Sequence, residues 1–186
     1  NPQQPLIHIH RAELFARNRR IGEARAAVAK ALQLAPNNMR ARLLLTQLLA
    51  QTGEFEEAIT ELLALLKRDE KMAEARMQLA SLYIQTDQLI QARRILDESA
   101  EMYPKDARWP HKLSQLDQHE RRWTDSAARL KQAFEMTQTV DLLSELCMAQ
   151  IRAKRPEEVI ETLGENPDFV QMHPLLNAVR GWALAD

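Results

Sequence analysis

Residues Met72 to Pro104 read MAEARMQLASLYIQTDQLIQARRILDESAEMYP, and this stretch decides the fold. Apolar residues recur at helical spacing on both sides of the polar segment 86–88. This pattern predicts two amphipathic helices joined by a tight turn. Pro104 closes the second helix, because proline lacks the amide proton that would continue it. The stretch is therefore predicted to be a helical hairpin.

The same residue classes return along the chain with a period of about 34 residues. Four series carry this period, with one shorter interval before the fifth repeat: Ile21, Phe55, Leu89 and Trp123; Ala24, Ala58, Ala92, Ser126 and Val159; Val28, Leu62, Leu96, Leu130 and Leu163; Ala12, Thr46, Ala80, Ser114, Cys147 and Gly181. The small residues allow two helices to approach to about 8–10 Å. The large apolar residues cannot be buried by one hairpin alone, so neighbouring hairpins must stack into a continuous core.

This register resembles the tetratricopeptide repeat, which places Leu-Gly and Tyr in one helix and Ala, Phe and Pro in the next. The third unit matches best, through Leu79-Ala80, Tyr83, Ala92, Leu96 and Pro104. The tryptophan that opens the family pattern is absent from all five complete units.

The resemblance implies an all-α fold, a right-handed superhelical solenoid of antiparallel helix hairpins with about five repeats and one extra helix. A single array over residues 5–186 is expected, with units at 5–37, 38–71, 72–105, 106–139 and 140–170 and a partial unit at 173–186. The sequence lacks an initiator methionine and ends within a helical pattern, so we expect it to be a segment of a longer protein.

Composition excludes several classes of partner. No apolar run reaches the roughly 18 residues of a membrane-spanning helix, so direct membrane insertion is not predicted. The formal net charge of −1 argues against general nucleic-acid binding. Residues 17–20 contain three arginines, but no aromatic residues are interleaved with them to stack on bases. We interpret them as a solvated turn.

Catalytic signatures are absent from the sequence. Its four isolated glycines form no phosphate-binding loop, and the five histidines lack the interleaved acidic or cysteine ligands that a metal site requires. Cys147 lies in a series of small packing residues and is predicted to be a buried, unreactive thiol. No enzymatic activity, metal or cofactor is predicted.

The family resemblance implies that the first helices of the repeats line a concave groove that holds an extended or helical peptide. The positions not used for packing predict the lining: Arg40, Leu43, Gln47, Gln51, Glu74, Met77, Gln78, Ser81, Gln85, Arg108, His111, Lys112, Gln115 and His119, preceded in the first unit by Ile9, Glu13, Ala16 and Arg17. Glutamine amides carry both donors and acceptors, which suits the backbone of an extended peptide. Weak anion affinity near Arg108 and Lys112 is an open alternative.

These features predict a non-catalytic protein–protein interaction scaffold that binds a peptide or protein segment in its groove, as part of a larger assembly protein. Two alternatives remain at this point. The chain could self-associate by end-to-end stacking of its apolar end faces. It could also be an accessory domain of an envelope or secretion machine, or of an enzyme whose chemistry lies outside this segment.

Overall fold

Helices occupy most of the computed structural model, which describes residues 4–184. Within that range the chain forms twelve helices and no strand. Their bounds are α1 Pro5–Arg17, α2 Ile21–Leu34, α3 Met39–Thr52, α4 Phe55–Arg68, α5 Ala73–Gln85, α6 Leu89–Met102, α7 Arg108–His119, α8 Trp123–Thr137, α9 Val140–Arg152, α10 Pro156–Gly164, α11 Pro167–Met172 and α12 Pro174–Ala183. The all-α expectation is confirmed.

The chain divides into two compact units, and the division falls inside α6. The N-terminal unit runs up to Ala92 and the C-terminal unit begins at Arg93. In the N-terminal unit α1 packs on α2, α2 on α3, α3 on α4 and α4 on α5. The first helices of successive repeats also contact each other, α1 with α3 and α3 with α5. These three helices therefore present one common face.

In the C-terminal unit α7 packs on α8 and α8 on α9, while α10 packs against both α9 and α12. Leu130, Leu143 and Leu146 are buried in its apolar core. Trp109 is also fully buried and stacks on Tyr103, with 5.7 Å between ring centroids.

The residues that define the period lie where the packing argument places them. Every member of the series that begins at Ala24 is buried, and so is every member of the series that begins at Val28. In the series that begins at Ala12, the five members up to Cys147 are buried as well. The series beginning at Ile21 is half-buried, and its members open α2, α4, α6 and α8. Gly181 is the exception, because it is exposed and nothing lies within 4 Å of an added Cβ. Leu176 and Ala183 are the buried residues of α12.

Prolines begin four of the helices. Pro5, Pro156, Pro167 and Pro174 each occupy the first helical position, where the missing amide proton costs no hydrogen bond. The predicted short second helix of the fifth repeat is confirmed as α10, which ends at Gly164. The short helix α11 was not predicted, because so few residues show no usable apolar period.

The turns inside the five hairpins share one geometry. The middle residue of each turn has a left-handed backbone, at Arg19, Gly53, Asp87, Arg121 and Lys154. In the second turn the Gly53 amide donates to the Ala50 carbonyl at 3.2 Å, and the Glu54 amide donates to the Leu49 carbonyl at 2.9 Å. The other four turns repeat this pair of hydrogen bonds, which satisfies carbonyls left open at the helix end. Only the second turn has a glycine at this position, and glycine adopts a left-handed backbone without steric cost.

We expect Gly53→Ala to lower the free energy of unfolding by about 1 kcal/mol and Arg19→Gly to raise it by about 0.5–1 kcal/mol, because a left-handed backbone strains an L-residue. That strain costs roughly 1–2 kcal/mol, part of which the greater freedom of glycine in the unfolded chain offsets. Urea unfolding followed by circular dichroism measures both changes. Gly22→Ala is the control, because Gly22 is helical and alanine there should stabilise slightly. Changes of the same sign at Gly22 and Gly53 would contradict the argument.

A buried ionic network interrupts the apolar pattern in the fourth repeat. Asp117 takes the position that Tyr83 has in the third repeat and Leu49 in the second. Although its side chain is a carboxylate, Asp117 is only 1% exposed. Its Oδ1 accepts from Arg93 at 2.7 Å and from Arg122 at 2.5 Å. Both arginines also contact Glu120, at 2.5 and 3.2 Å. Buried carboxylates require such compensation, and two guanidinium groups supply it.

Candidate functional site

An open cavity of about 250 Å³ lies between α3 and α5 in the N-terminal unit. Its lining is formed by Thr46, Gln47, Ala50, Gln51, Met77, Gln78, Ser81, Leu82 and Gln85. On each helix these residues repeat at three- and four-residue intervals, so they occupy one face of each helix. The cavity therefore lies on the face that the first helices share. It brings together six of the residues predicted to line the groove.

The wall of this cavity is ordered by Thr46 and Gln78. The hydroxyl oxygen of Thr46 lies 2.7 Å from the carbonyl oxygen of Leu43 and 2.5 Å from Oε1 of Gln78. Since the threonine is buried, its position is set by packing, and it holds the end of the half-buried Gln78 side chain in place. A glutamine fixed in this way presents its remaining donors and acceptors to a ligand with little loss of rotamer freedom.

Three further amides that line the cavity have no hydrogen-bond partner in the described part of the chain. Within residues 4–184 the side chains of Gln47, Gln51 and Gln85 form no hydrogen bond, and all three are exposed. Ser81 donates to the carbonyl of Met77 at 2.9 Å, which leaves the lone pairs of its oxygen free to accept. Ala50, Met77 and Leu82 supply the apolar part of the surface. This combination suits a backbone amide and carbonyl lying beside a small apolar side chain.

The remaining predicted residues of the N-terminal unit lie outside this cavity. Arg40 forms a double hydrogen bond with Glu13, at 2.8 and 2.9 Å, which joins α3 to α1. Leu43 is half-buried and Glu74 is exposed near the start of α5. Ile9, expected to line the groove in the first unit, is fully buried in the core. That expectation is wrong, because Ile9 packs with Ala12 and other core residues of this unit.

In the C-terminal unit three of the predicted residues of α7, His111, Lys112 and Gln115, form a connected polar row. His111 Nε2 lies 2.9 Å from Oε2 of Glu145 on α9. Lys112 donates to Gln115 at 2.8 Å, and burial lowers the pKa of this lysine from its ordinary value. His119 is exposed at the end of the helix. The contact between His111 and Glu145 joins this row to α9.

Arg108, at the start of α7, is paired with an acidic neighbour. Its guanidinium binds the carboxylate of Asp106 at 2.7–3.0 Å, and the backbone amide of Arg108 donates to the same carboxylate at 3.0 Å. These hydrogen bonds lower the pKa of Asp106. The carboxylate of Asp106 therefore offsets the positive charge of Arg108, one of the two residues near which weak anion binding was considered.

Sequence reasoning did not find four residues that shape these surfaces. Thr46 was assigned to helix packing alone, and Ala50, Leu82 and Glu145 were not singled out. Glu145 takes the position in the fifth repeat that Lys112 has in the fourth and Gln78 in the third. Extending the groove positions into the fifth repeat by the same period would have identified it.

The described part of the chain contains neither a candidate metal-binding cluster nor an exposed cysteine. No group of three His, Cys, Asp or Glu residues within residues 4–184 is arranged to hold a metal ion. Cys147 is buried, and this burial raises its pKa to about 12, so the thiol is protonated at neutral pH. No described helix is long and apolar enough to cross a membrane.

The paired helices, the repeat period and the groove face define a helical-repeat scaffold. The sequence profile of the family described as tetratricopeptide repeat matches residues 15–71 and 64–116, more than half of the chain. The chain belongs to the tetratricopeptide repeat family. This fold is typically non-catalytic and indicates a protein-interaction scaffold. No curated protein sequence matches the chain significantly.

Solved structures share the fold at low sequence identity. TTC0263, a thermophilic tetratricopeptide repeat protein of Thermus thermophilus, has a TM-score of 0.71 and 17% identity, covering 98% of this chain and 100% of that chain. MamA from residue 41 to its end, from Desulfovibrio magneticus RS-1, has a TM-score of 0.72 and 14% identity, covering 91% and 96%. YrrB, described as having an unusual peptide-binding site, has a TM-score of 0.63 and 16% identity, covering 97% and 94%.

Proposed function

We propose that the chain is a non-catalytic scaffold that binds an extended segment of a partner protein along the cavity between α3 and α5. The observation that carries this proposal is the group of three exposed glutamines, Gln47, Gln51 and Gln85, whose amides have no partner within residues 4–184. An extended peptide offers unpaired backbone donors and acceptors that match such amides. The solved structure of YrrB, with its described peptide-binding site, supports peptide binding as a use of this fold.

The chemistry of the cavity indicates a largely uncharged binding segment. None of the nine lining residues carries a formal charge. A charged side chain placed against Ala50, Met77 and Leu82 would lose hydration without gaining an ion pair. We therefore expect binding segments to place a small apolar residue in the cavity and to hydrogen-bond through their backbone.

The test is an immobilised library of random twelve-residue peptides probed with the labelled chain. We expect the triple variant Gln47→Ala, Gln51→Ala and Gln85→Ala to lose most peptides bound by the wild type. Losing two or three exposed hydrogen bonds of about 0.5–1.5 kcal/mol each would weaken binding about fivefold or more.

The matched control replaces three exposed glutamines outside the cavity, Gln91, Gln132 and Gln171, with alanine. It should retain the wild-type set of peptides. Thermal melts of both triple variants should match the wild type, because all six side chains are exposed. If both triple variants bind the same peptides as the wild type, the groove assignment is wrong.

A second candidate function, self-association, is favoured by the apolar surface of α12. Leu175 and Trp182 lie two helical turns apart on one face of this helix and are 79% and 46% exposed. An apolar helix face of this kind is buried when a further helix stacks on it. End-to-end contact between copies would be heterologous and would extend with concentration.

Light scattering coupled to size-exclusion chromatography measures this second function. We expect the molar mass of the wild-type chain to rise with concentration. The molar mass of Leu175→Glu should stay at the value of a monomer. Ile90→Glu, at an 85% exposed position in the N-terminal unit, should behave as the wild type. A wild type that remains monomeric at high concentration would reject self-association and leave the groove proposal untouched.

A further inference from the structure

A second cavity, separate from the groove, lies beside Trp123 in the C-terminal unit. It has a volume of about 410 Å³ and lies where the turn before α8 meets the turn after α9. Four of its lining residues are cationic, Arg121, Arg122, Arg152 and Lys154, and Asp125 is its one acidic residue. This cavity carries a strong excess of positive charge in a unit whose Asp and Glu residues otherwise outnumber its Lys and Arg residues.

The guanidinium group of Arg152 is positioned by stacking. It lies 4.9 Å from the centroid of the Trp123 ring, in the geometry of a cation–π contact. Stacking uses the face of the guanidinium and leaves the N–H groups at its edge able to donate in plane to a carboxylate. Within residues 4–184 the side chain of Arg152 forms no hydrogen bond or ion pair. The arginine is therefore held in position while its donors stay uncommitted.

Two more cations of this cavity lack an acidic partner. Arg121 and Lys154 are the left-handed residues of their turns, both are exposed, and neither forms an ion pair within the described residues. Arg122 differs, since Asp117 and Glu120 hold it in the buried network. The cavity thus offers three uncompensated cations around one aromatic ring.

The repeat geometry does not require these residues. Trp123 begins the second helix of one repeat, and Arg152 and Lys154 lie at the end of the first helix of the next repeat and in the turn that follows. Between the first and second repeats the equivalent positions hold Ile21, Gln51 and Gly53. Between the second and third repeats these positions hold Phe55, Gln85 and Asp87. The same turn therefore forms with neutral or acidic side chains, so packing alone does not explain the basic cluster.

We propose that this cavity is a second binding surface and that it takes an acidic segment of a partner protein, with a glutamate or aspartate carboxylate on Arg152. The planar fork of arginine matches a carboxylate, and Lys154 and Arg121 add charge on either side of the stack. Asp125 and the net charge of −1 disfavour a continuous polyanion such as nucleic acid. A single aromatic ring also offers little stacking for successive bases.

Fluorescence anisotropy of the 186-residue chain with a fluorescein-labelled octaglutamate peptide tests this proposal, at an ionic strength of about 0.15 M, where long-range attraction is screened. We expect saturable binding of octaglutamate and none of octaglutamine. The triple variant Arg121→Gln, Arg152→Gln and Lys154→Gln should raise the dissociation constant at least tenfold. Arg152→Lys keeps the charge but loses the planar fork, and should raise it about threefold.

The matched control is the triple variant Lys105→Gln, Lys131→Gln and Arg180→Gln, which removes the same charge from exposed positions elsewhere in the C-terminal unit. It should change the dissociation constant less than twofold. Equal losses in the two triple variants, or no binding of octaglutamate by the wild type, would overturn the proposal. Tighter binding of a single-stranded oligonucleotide, lost in the first triple variant alone, would overturn it in favour of nucleic acid. Each of these results leaves the cavity between α3 and α5 untouched, because that cavity lies in the other unit.

Discussion

Trp109→Ala should lower the free energy of unfolding of the C-terminal unit by about 3–5 kcal/mol, the range measured for removing a buried aromatic side chain. Trp109 is fully buried in α7 and stacks on Tyr103. Its replacement removes the stacking contact and leaves a cavity that helix packing can only partly close. Urea unfolding followed by far-ultraviolet circular dichroism measures the loss.

Trp109→Phe distinguishes lost packing from lost polarity. The Nε1 atom of Trp109 is buried and has no hydrogen-bond partner within residues 4–184. Phenylalanine keeps an aromatic ring against Tyr103 and removes this unsatisfied donor, whose burial costs about 1–3 kcal/mol. The gain offsets much of the lost volume, so we expect a change within about 1.5 kcal/mol. Equal losses in the alanine and phenylalanine variants would show that ring stacking is not what stabilises this site.

Arg93→Met should destabilise the C-terminal unit by about 2–3 kcal/mol, because it leaves the charge of Asp117 less well compensated. Breaking a fully buried ion pair costs about 3–5 kcal/mol, since an uncompensated charge stays behind. The smaller value applies here because the Arg93 side chain is 25% exposed and Arg122 still holds Oδ1 of Asp117. The same urea titration measures the change.

Arg94→Met is the control for this variant, since Arg94 is the exposed neighbour on the same helix. It should change stability by less than about 0.5 kcal/mol. Asp117→Leu restores the residue type that the second repeat has at Leu49 and removes the buried charge itself. We expect it to cost less than Arg93→Met, because exchanging a buried ionic group for a well-packed apolar one is often neutral. The reverse order would mean that the network stabilises the unit beyond compensating Asp117.

The lining of the cavity between α3 and α5 was predictable because the period separates the positions that pack against other helices from the positions that do not. Once Thr46 and Ala80 are recognised as small packing residues, their helical neighbours at 47, 51, 81 and 85 must face elsewhere. Six of the predicted residues line the cavity between α3 and α5. The period alone did not place Ile9, which is fully buried although Leu43 and Met77 at the equivalent positions of the next two repeats are half-buried.

The ionic network and the basic cavity were not predictable from the period. Asp117 and Trp123 stand in series whose other members are mainly apolar, so the pattern assigns them to packing. Their roles come from partners far along the chain, Arg93 for the first and Arg152 for the second. A periodic pattern reports which face a side chain occupies but not which distant side chain it meets.

The sequence by itself determined the class of this protein, its helical hairpins and the positions of the turns within them, because every repeat must satisfy the same packing requirement. It also predicted six of the residues of α3 and α5 that line the cavity between these helices. Only the tertiary structure decided that Thr46 fixes Gln78, that His111 meets Glu145 and that Arg152 stacks on Trp123. Each of these contacts joins side chains of two successive repeats, whose distances depend on how neighbouring helices pack.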